Sequence, residues 1–179
     1  TCNINTDMIE QALTSKTRAI LVVHTYYFPS NMDRIESIAK EHDLIIVEDA
    51  AEMYGQSYCG RPCGSFGVVS TFSFYANKII TTGEGGMVVT NCEEINKRCR
   101  YLRDLCFNND FRFKHEELSS NYRMTSLQAA LGCSQNKRLT SLVAKKRAMG
   151  KFYSTLLQEV GGITLPVDSI DSAENIYWI

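Results

Sequence analysis

Lys78 stands in nearly uncharged text, after VVSTFSFYAN and before IITTG. An ammonium group among apolar residues is costly unless it is paired, neutral or covalently used. Two chemistries suit it. One is a lysine that packs its stem and lifts its head to water at a strand end. The other is an amine kept for bonding to a carbonyl, as in a Schiff base. Upstream, Glu48 and Asp49 close the apolar run LIIVEDA, and the carboxyl ends of strands in open α/β sheets line ligand crevices. Ser73 lies between, giving Ser-x-x-x-x-Lys. An acid at one strand end and this pair at the next match what pyridoxal 5'-phosphate (PLP) needs: a lysine for the aldehyde, an acid to keep the pyridine nitrogen protonated, and a hydroxyl for the phosphate. A magnesium–nucleotide strand is a rival reading of the two acids, but it requires G-x-x-x-x-G-K-[ST]. In YANKIITTGEGG the lysine precedes the glycines instead. Solvated acids at a strand end are the third reading.

These groups must be positioned by strands and helices that the text also signals. RAILVVH (18–24) and LIIVEDA (44–50) are continuous apolar runs, as expected of strands buried on both faces. Between them, SNMDRIESIAKEHD reads as a helix capped by Ser30 or Asn31, with Met32, Ile35, Ile38 and Ala39 on one face. This is a βαβ unit, which predicts parallel pairing through a right-handed crossover. GVVSTFSF (67–74) and GGMVVTN (85–91) are two further strands, followed by a helix from NCEEINKRCRYLRDL. After a loop over 107–123, two long helices are expected with a break near Thr140. The final IYWI reads as an apolar strand-like run with nothing to pair.

With 179 residues, 44% hydrophobic and 22% charged, the chain can bury one sizeable core. A formal net charge of -1 gives no reason to expect nucleic acid as a partner. No apolar run is long enough to span a membrane and no signal peptide is evident; the cysteine usage is what points to a reducing cytoplasm. Seven scattered cysteines, with Cys59 and Cys63 in a C-x-x-x-C turn, read as free thiols, and three histidines make a metal site improbable.

VEDAAE, GSFGVVSTFSFYANKIITTGEGGMVVTN and NYRMTSLQAA together resemble the DegT/DnrJ/EryC1/StrS sugar aminotransferases, in one register from Arg18 to Arg147. The resemblance implies an α/β chain with the large domain of fold type I PLP-dependent transferases: a mixed, mostly parallel sheet flanked by helices, truncated at both ends. Residues 1–160 would be the PLP-binding portion and residues 161–179 the start of a C-terminal small domain. It further implies that Lys78 holds the aldehyde and moves the proton, and that Asp49 pairs with the ring nitrogen. Glu48 would then turn away, because neighbours on a strand face opposite sides. Glu52 would lie near the ring oxygen and Ser73 at the phosphate. Asn121 would reach the phosphate of a neighbouring subunit's cofactor, which implies a homodimer with shared sites.

Glu52, where many relatives carry Gln, and TTGEGGMVVTN are most similar to the branch that aminates a GDP-linked 4-keto-6-deoxy sugar at C4, with glutamate as donor. A nucleotide sugar and glutamate are therefore the implied substrates. Lys78 argues against the family's dehydratase branch, which carries histidine there. Tyr27 and Phe28, where relatives usually have Gly and a polar residue, and Ser119, where they commonly have Gly, bear on substrate preference. The alternative is a non-catalytic fragment or interaction module that keeps the fold.

Overall fold

A computed structural model describes residues 2–107, 111 and 113–178. A 3-10 turn (Thr6–Met8), capped by the Asn5 side chain, leads into the short helix α1 (Ile9–Ala12). Then come β1 (Ala19–Val23), α2 (Met32–Glu41) and β2 (Ile45–Asp49), the expected βαβ unit. A small hairpin, β3 (Ser57–Tyr58) and β4 (Arg61–Pro62), precedes β5 (Val69–Ser73) and β6 (Gly86–Val89). Three helices follow: α3 (Glu93–Arg103), α4 (Ser126–Asn136) and α5 (Leu139–Leu157). The chain closes on the hairpin β7 (Ser169–Ile170) and β8 (Ala173–Glu174).

The main sheet has the order β1-β2-β5-β6. β1, β2 and β5 are parallel and β6 pairs antiparallel at the edge, which makes the sheet mixed and mostly parallel. Its register sets Val23 beside Asp49, Asp49 beside Thr71, and Ser73 beside Gly86. Paired residues share a face, so Asp49, Thr71 and Ser73 all stand on one side at the carboxyl ends of adjacent strands.

The other side carries the core. Ile20, Val22 and Ile46 pack against Met32, Ile35, Ile38 and Ala39 of α2. These four helix residues are the stripe expected from sequence, and each fully buried aliphatic side chain contributes about 1.5–3 kcal/mol of transfer free energy. Asn31, rather than Ser30, caps α2, its side chain accepting from the Arg34 N–H.

Two expectations are corrected, the burial of β1 and the fate of the IYWI run. β1 is not buried on both faces: Val22 is fully buried, but Leu21 is 61% exposed and Val23 and Ile45 also face out. The α2 side of these strands is closed, and the opposite side is open at Leu21, Val23 and Ile45. The helix break expected near Thr140 falls at Lys137–Arg138. IYWI is not an uncovered strand either. Ile176 and Tyr177 are buried, and the Ile176 N–H donates to the Tyr27 carbonyl at 3.0 Å. The apolar run satisfies its burial by folding back on the 24–30 loop. Of the loop expected over 107–123, residues 108–110 and 112 lie outside the described residues.

Candidate functional site

Glu48 and Asp49 are chain neighbours with opposite surroundings. Glu48 points to the α2 side and has no exposed surface. Its carboxylate accepts from His24 Nε2 (2.9 Å), the Phe66 N–H (2.9 Å), the Gly67 N–H and the Ser70 hydroxyl (both 3.3 Å), and from the Gly64 N–H. The Ser30 N–H donates to His24 Nδ1 (3.0 Å), so the ring proton sits on Nε2, where it meets Glu48. Burial pushes the Glu48 carboxyl up, but the His24, Gly64 and Phe66 hydrogen bonds outweigh it and hold the group below its ordinary value. Gly67 lets this turn close. A Cβ there would lie 2.7 Å from the Val69 carbonyl oxygen and 2.9 Å from that of Ile46.

Asp49 points to the opposite side and is only half-buried. Its Oδ1 accepts from the Ala51 N–H at 3.0 Å, which fixes the carboxylate at the start of the turn after β2. Glu52, in that turn, accepts the Tyr26 N–H at 2.7 Å and so holds the loop after β1 against the loop after β2. Tyr26 sits at φ 63, a left-handed conformation that a tyrosine seldom adopts. Ser73, the last residue of β5, accepts from the Tyr75 N–H at 3.3 Å.

Lys78 follows in a tight turn, its N–H donating to the Tyr75 carbonyl at 3.0 Å. Ile80 is buried beside Tyr54 and Phe74 and anchors this turn. The return to β6 runs through Gly85 at φ +139, where a Cβ would meet Thr82 Oγ1 at 2.8 Å and Met124 Cε at 2.9 Å. The lysine is half-buried. Its Nζ lies 4.4 Å from the centroid of the Trp178 ring, which in turn lies 6.2 Å from that of Tyr26. Among the described residues, the Trp178 Nε1–H and the Tyr54 hydroxyl are buried with no hydrogen-bond partner.

Asp49, Glu52, Ser73 and Lys78 thus gather at the carboxyl ends of β2 and β5. Asn121 belongs to a different neighbourhood. It bridges to Asp104 after α3, is exposed, and its Oδ1 accepts from the N–H and Nε of Arg123, both at 3.1 Å. The helix after it begins with a capping box made by Thr125 and Gln128. Sequence reasoning missed Trp178 and His24 as neighbours of this region. Trp178 is a hundred positions from Lys78 and has no spacing that relates the two; only its being the single tryptophan marks it out.

An amine, an acid and a hydroxyl thus stand at or just beyond the carboxyl ends of neighbouring parallel strands in an α/β sheet. The chain belongs to the DegT/DnrJ/EryC1/StrS aminotransferase family, whose profile matches residues 1–179. It is 42% identical over 145 residues to GDP-perosamine synthase of Escherichia coli O157:H7, covering 81% of this chain and 40% of that one. It is 37% identical over 180 residues to GDP-perosamine synthase of Caulobacter vibrioides, covering 100% and 48%. The chain therefore spans about half the length of the curated relatives it matches. Among solved structures, E. coli GDP-4-keto-6-deoxy-D-mannose-3-dehydratase with bound hydrated PLP is similar at TM-score 0.85 and 25% identity, covering 99% of this chain and 49% of that one.

The family implies PLP, and the residues present fit it. A half-buried amine, an acid with one backbone donor, a strand-end hydroxyl and an orphaned indole N–H are the donors and acceptors such a group would use. No helix among the described residues is long and apolar enough to cross a membrane.

Proposed function

We propose that the chain is the central part of a PLP-dependent nucleotide-sugar aminotransferase that moves an amino group from glutamate to C4 of a GDP-linked 4-keto-6-deoxy sugar, the perosamine type. The observation that carries this reading is the likeness to GDP-perosamine synthase along the whole chain, with Lys78 and Asp49 at adjacent strand ends. When bound, PLP supplies an electron sink for the carbon that bears the amino group.

The chain's own residues supply the rest. Lys78 Nζ anchors the aldehyde and moves the proton at the substrate's amine-bearing carbon. The Ala51 N–H holds Asp49 by Oδ1, leaving Oδ2 to keep the ring nitrogen protonated. Ser73 accepts from the Tyr75 N–H and would donate a hydrogen bond from its hydroxyl to the phosphate. Glu52 ties down the Tyr26 loop and stands near the ring oxygen.

Asn121 acts on the site of a second copy in a homodimer. Support for that partner is the apolar surface beside it: Leu118 is fully exposed, and Tyr122 and Leu127 are 71% and 85% exposed. Residues 161–179 open the small domain. A reducing cytoplasm suits the seven free cysteines. The test is borohydride reduction of the PLP-treated protein followed by peptide mapping. A label on Lys78 is expected; a label on Lys97 or Lys137 refutes the assignment.

A further inference from the structure

Trp178 reaches the Lys78 amine from the far end of the chain. Its segment is held at several points before it arrives. The Asn175 N–H donates to the Asp168 carbonyl and Asn175 Nδ2 to that of Val167, both at 2.8 Å. The Tyr177 N–H donates to Asn175 Oδ1 at 2.6 Å, and the Tyr177 hydroxyl to Asp168. Arg147 Nε donates to the Asn175 carbonyl at 3.2 Å. The Tyr177 ring lies against Gly150, where a Cβ would meet Cγ at 2.2 Å, so no larger residue fits there.

Tyr177, just before the tryptophan, and Tyr26, in ring contact with it, both have positive φ, 49° and 63°. Non-glycine residues persist in such conformations only where their surroundings over-determine them, and such sites cluster at ligand clamps. Trp178 is thus presented by a rigid frame. It is presented, moreover, with one need unmet: its Nε1–H is buried without an acceptor, and a buried donor left unpaired is normally avoided.

We propose that Trp178 is a positioning residue for Lys78, its indole face seating the amine and its Nε1–H donating to a cofactor oxygen that is retained when the amine condenses with the aldehyde. The face contact is a cation–π arrangement, and it holds Nζ over one side of the site. The N–H is a neutral donor in a dry setting, suited to an oxygen of the aldehyde cofactor. The inference rests on the reading of Lys78 as the carbonyl-binding lysine.

The experiment uses the 179-residue chain titrated with pyridoxal 5'-phosphate. Condensation joins Nζ to the aldehyde carbon as C=N and releases one water, and it is followed by visible absorbance and by borohydride labelling. Because the chain has one tryptophan, its emission reports on position 178 alone and should fall in step with absorbance. Trp178→Phe keeps an aromatic face but loses the donor, and should weaken labelling of Lys78 about fivefold with melting temperature unchanged. Trp178→Leu loses both and should weaken it about twenty-fold. Labelling of Lys78 at wild-type affinity in both variants, or without a change of emission in the parent chain, overturns the role of Trp178 and leaves the lysine reading standing. A label on another lysine overturns both.

Discussion

The two faces of the main sheet differ more than their sequences do. On the α2 side, Ile20, Val22 and Ile46 pack into a closed core, and the acid among them, Glu48, is bonded on every side. On the opposite side, Leu21, Val23 and Ile45 are exposed, and the acid, Asp49, has one backbone donor. One step along β2 therefore separates an acid bound into structure from an acid free to meet a ligand. A buried carboxylate is tolerable only when its oxygens are saturated; a reactive one must keep an oxygen available.

The largest test of this contrast is Asp49→Asn in the proposed aminotransferase. It should lower amination by about two to four orders of magnitude, the range of a lost proton-controlling group, with the melting temperature held. A variant that melts early but turns over normally would reverse the assignment of the two acids. Glu48→Ala should do the opposite, destabilising the fold by about 3–5 kcal/mol because His24 and three backbone donors lose their acceptor, as measured by urea unfolding.

The same contrast has a pH signature. The Glu48 carboxyl is held below its ordinary value in the folded chain, so the unfolded chain binds its proton more readily. Its stabilising contribution is present above the unfolded carboxylate range and is lost as pH falls through the lower folded value. Glu48→Gln should flatten that acid limb when urea unfolding is followed over a series of pH values, and an unchanged limb would overturn the assignment.

Smaller effects sharpen the comparison of faces. Val22→Ala removes buried methyls and should cost about 1–3 kcal/mol in denaturant unfolding, whereas Leu21→Ala on the open side should change it by less than about 0.5 kcal/mol. Equal losses would mean that the open face is covered in solution. Smallest is the thiol test. Burial first, with the Glu48 charge behind it, pushes the Cys63 thiol up to about 12. Iodoacetamide at neutral pH should label exposed Cys59 well before Cys63, as read by mass spectrometry.

Local pattern was enough for much of this molecule. The spacing of Met32, Ile35, Ile38 and Ala39 determined the helix and its buried side, because a 3.6-residue period has one apolar stripe to hide. The run LIIVEDA determined a strand that ends in two acids, and strand alternation determined that those acids part company. The gathering of Asp49, Ser73 and Lys78 at neighbouring strand ends was also legible, since parallel βαβ order brings successive carboxyl ends together.

What the sequence could not decide is what lies opposite a given surface. A continuous apolar run is the same text whether one face or both are covered, so β1 was read as buried on two sides when one is open. The run IYWI was read as an unpaired strand, but the Tyr27 carbonyl and the 24–30 loop receive it. The bond between His24 and Glu48, the hold of Glu52 on Tyr26, and the placing of Trp178 over Lys78 join residues with no periodic relation. Such contacts arise only when the chain closes on itself, because they depend on distances in space that no local spacing encodes.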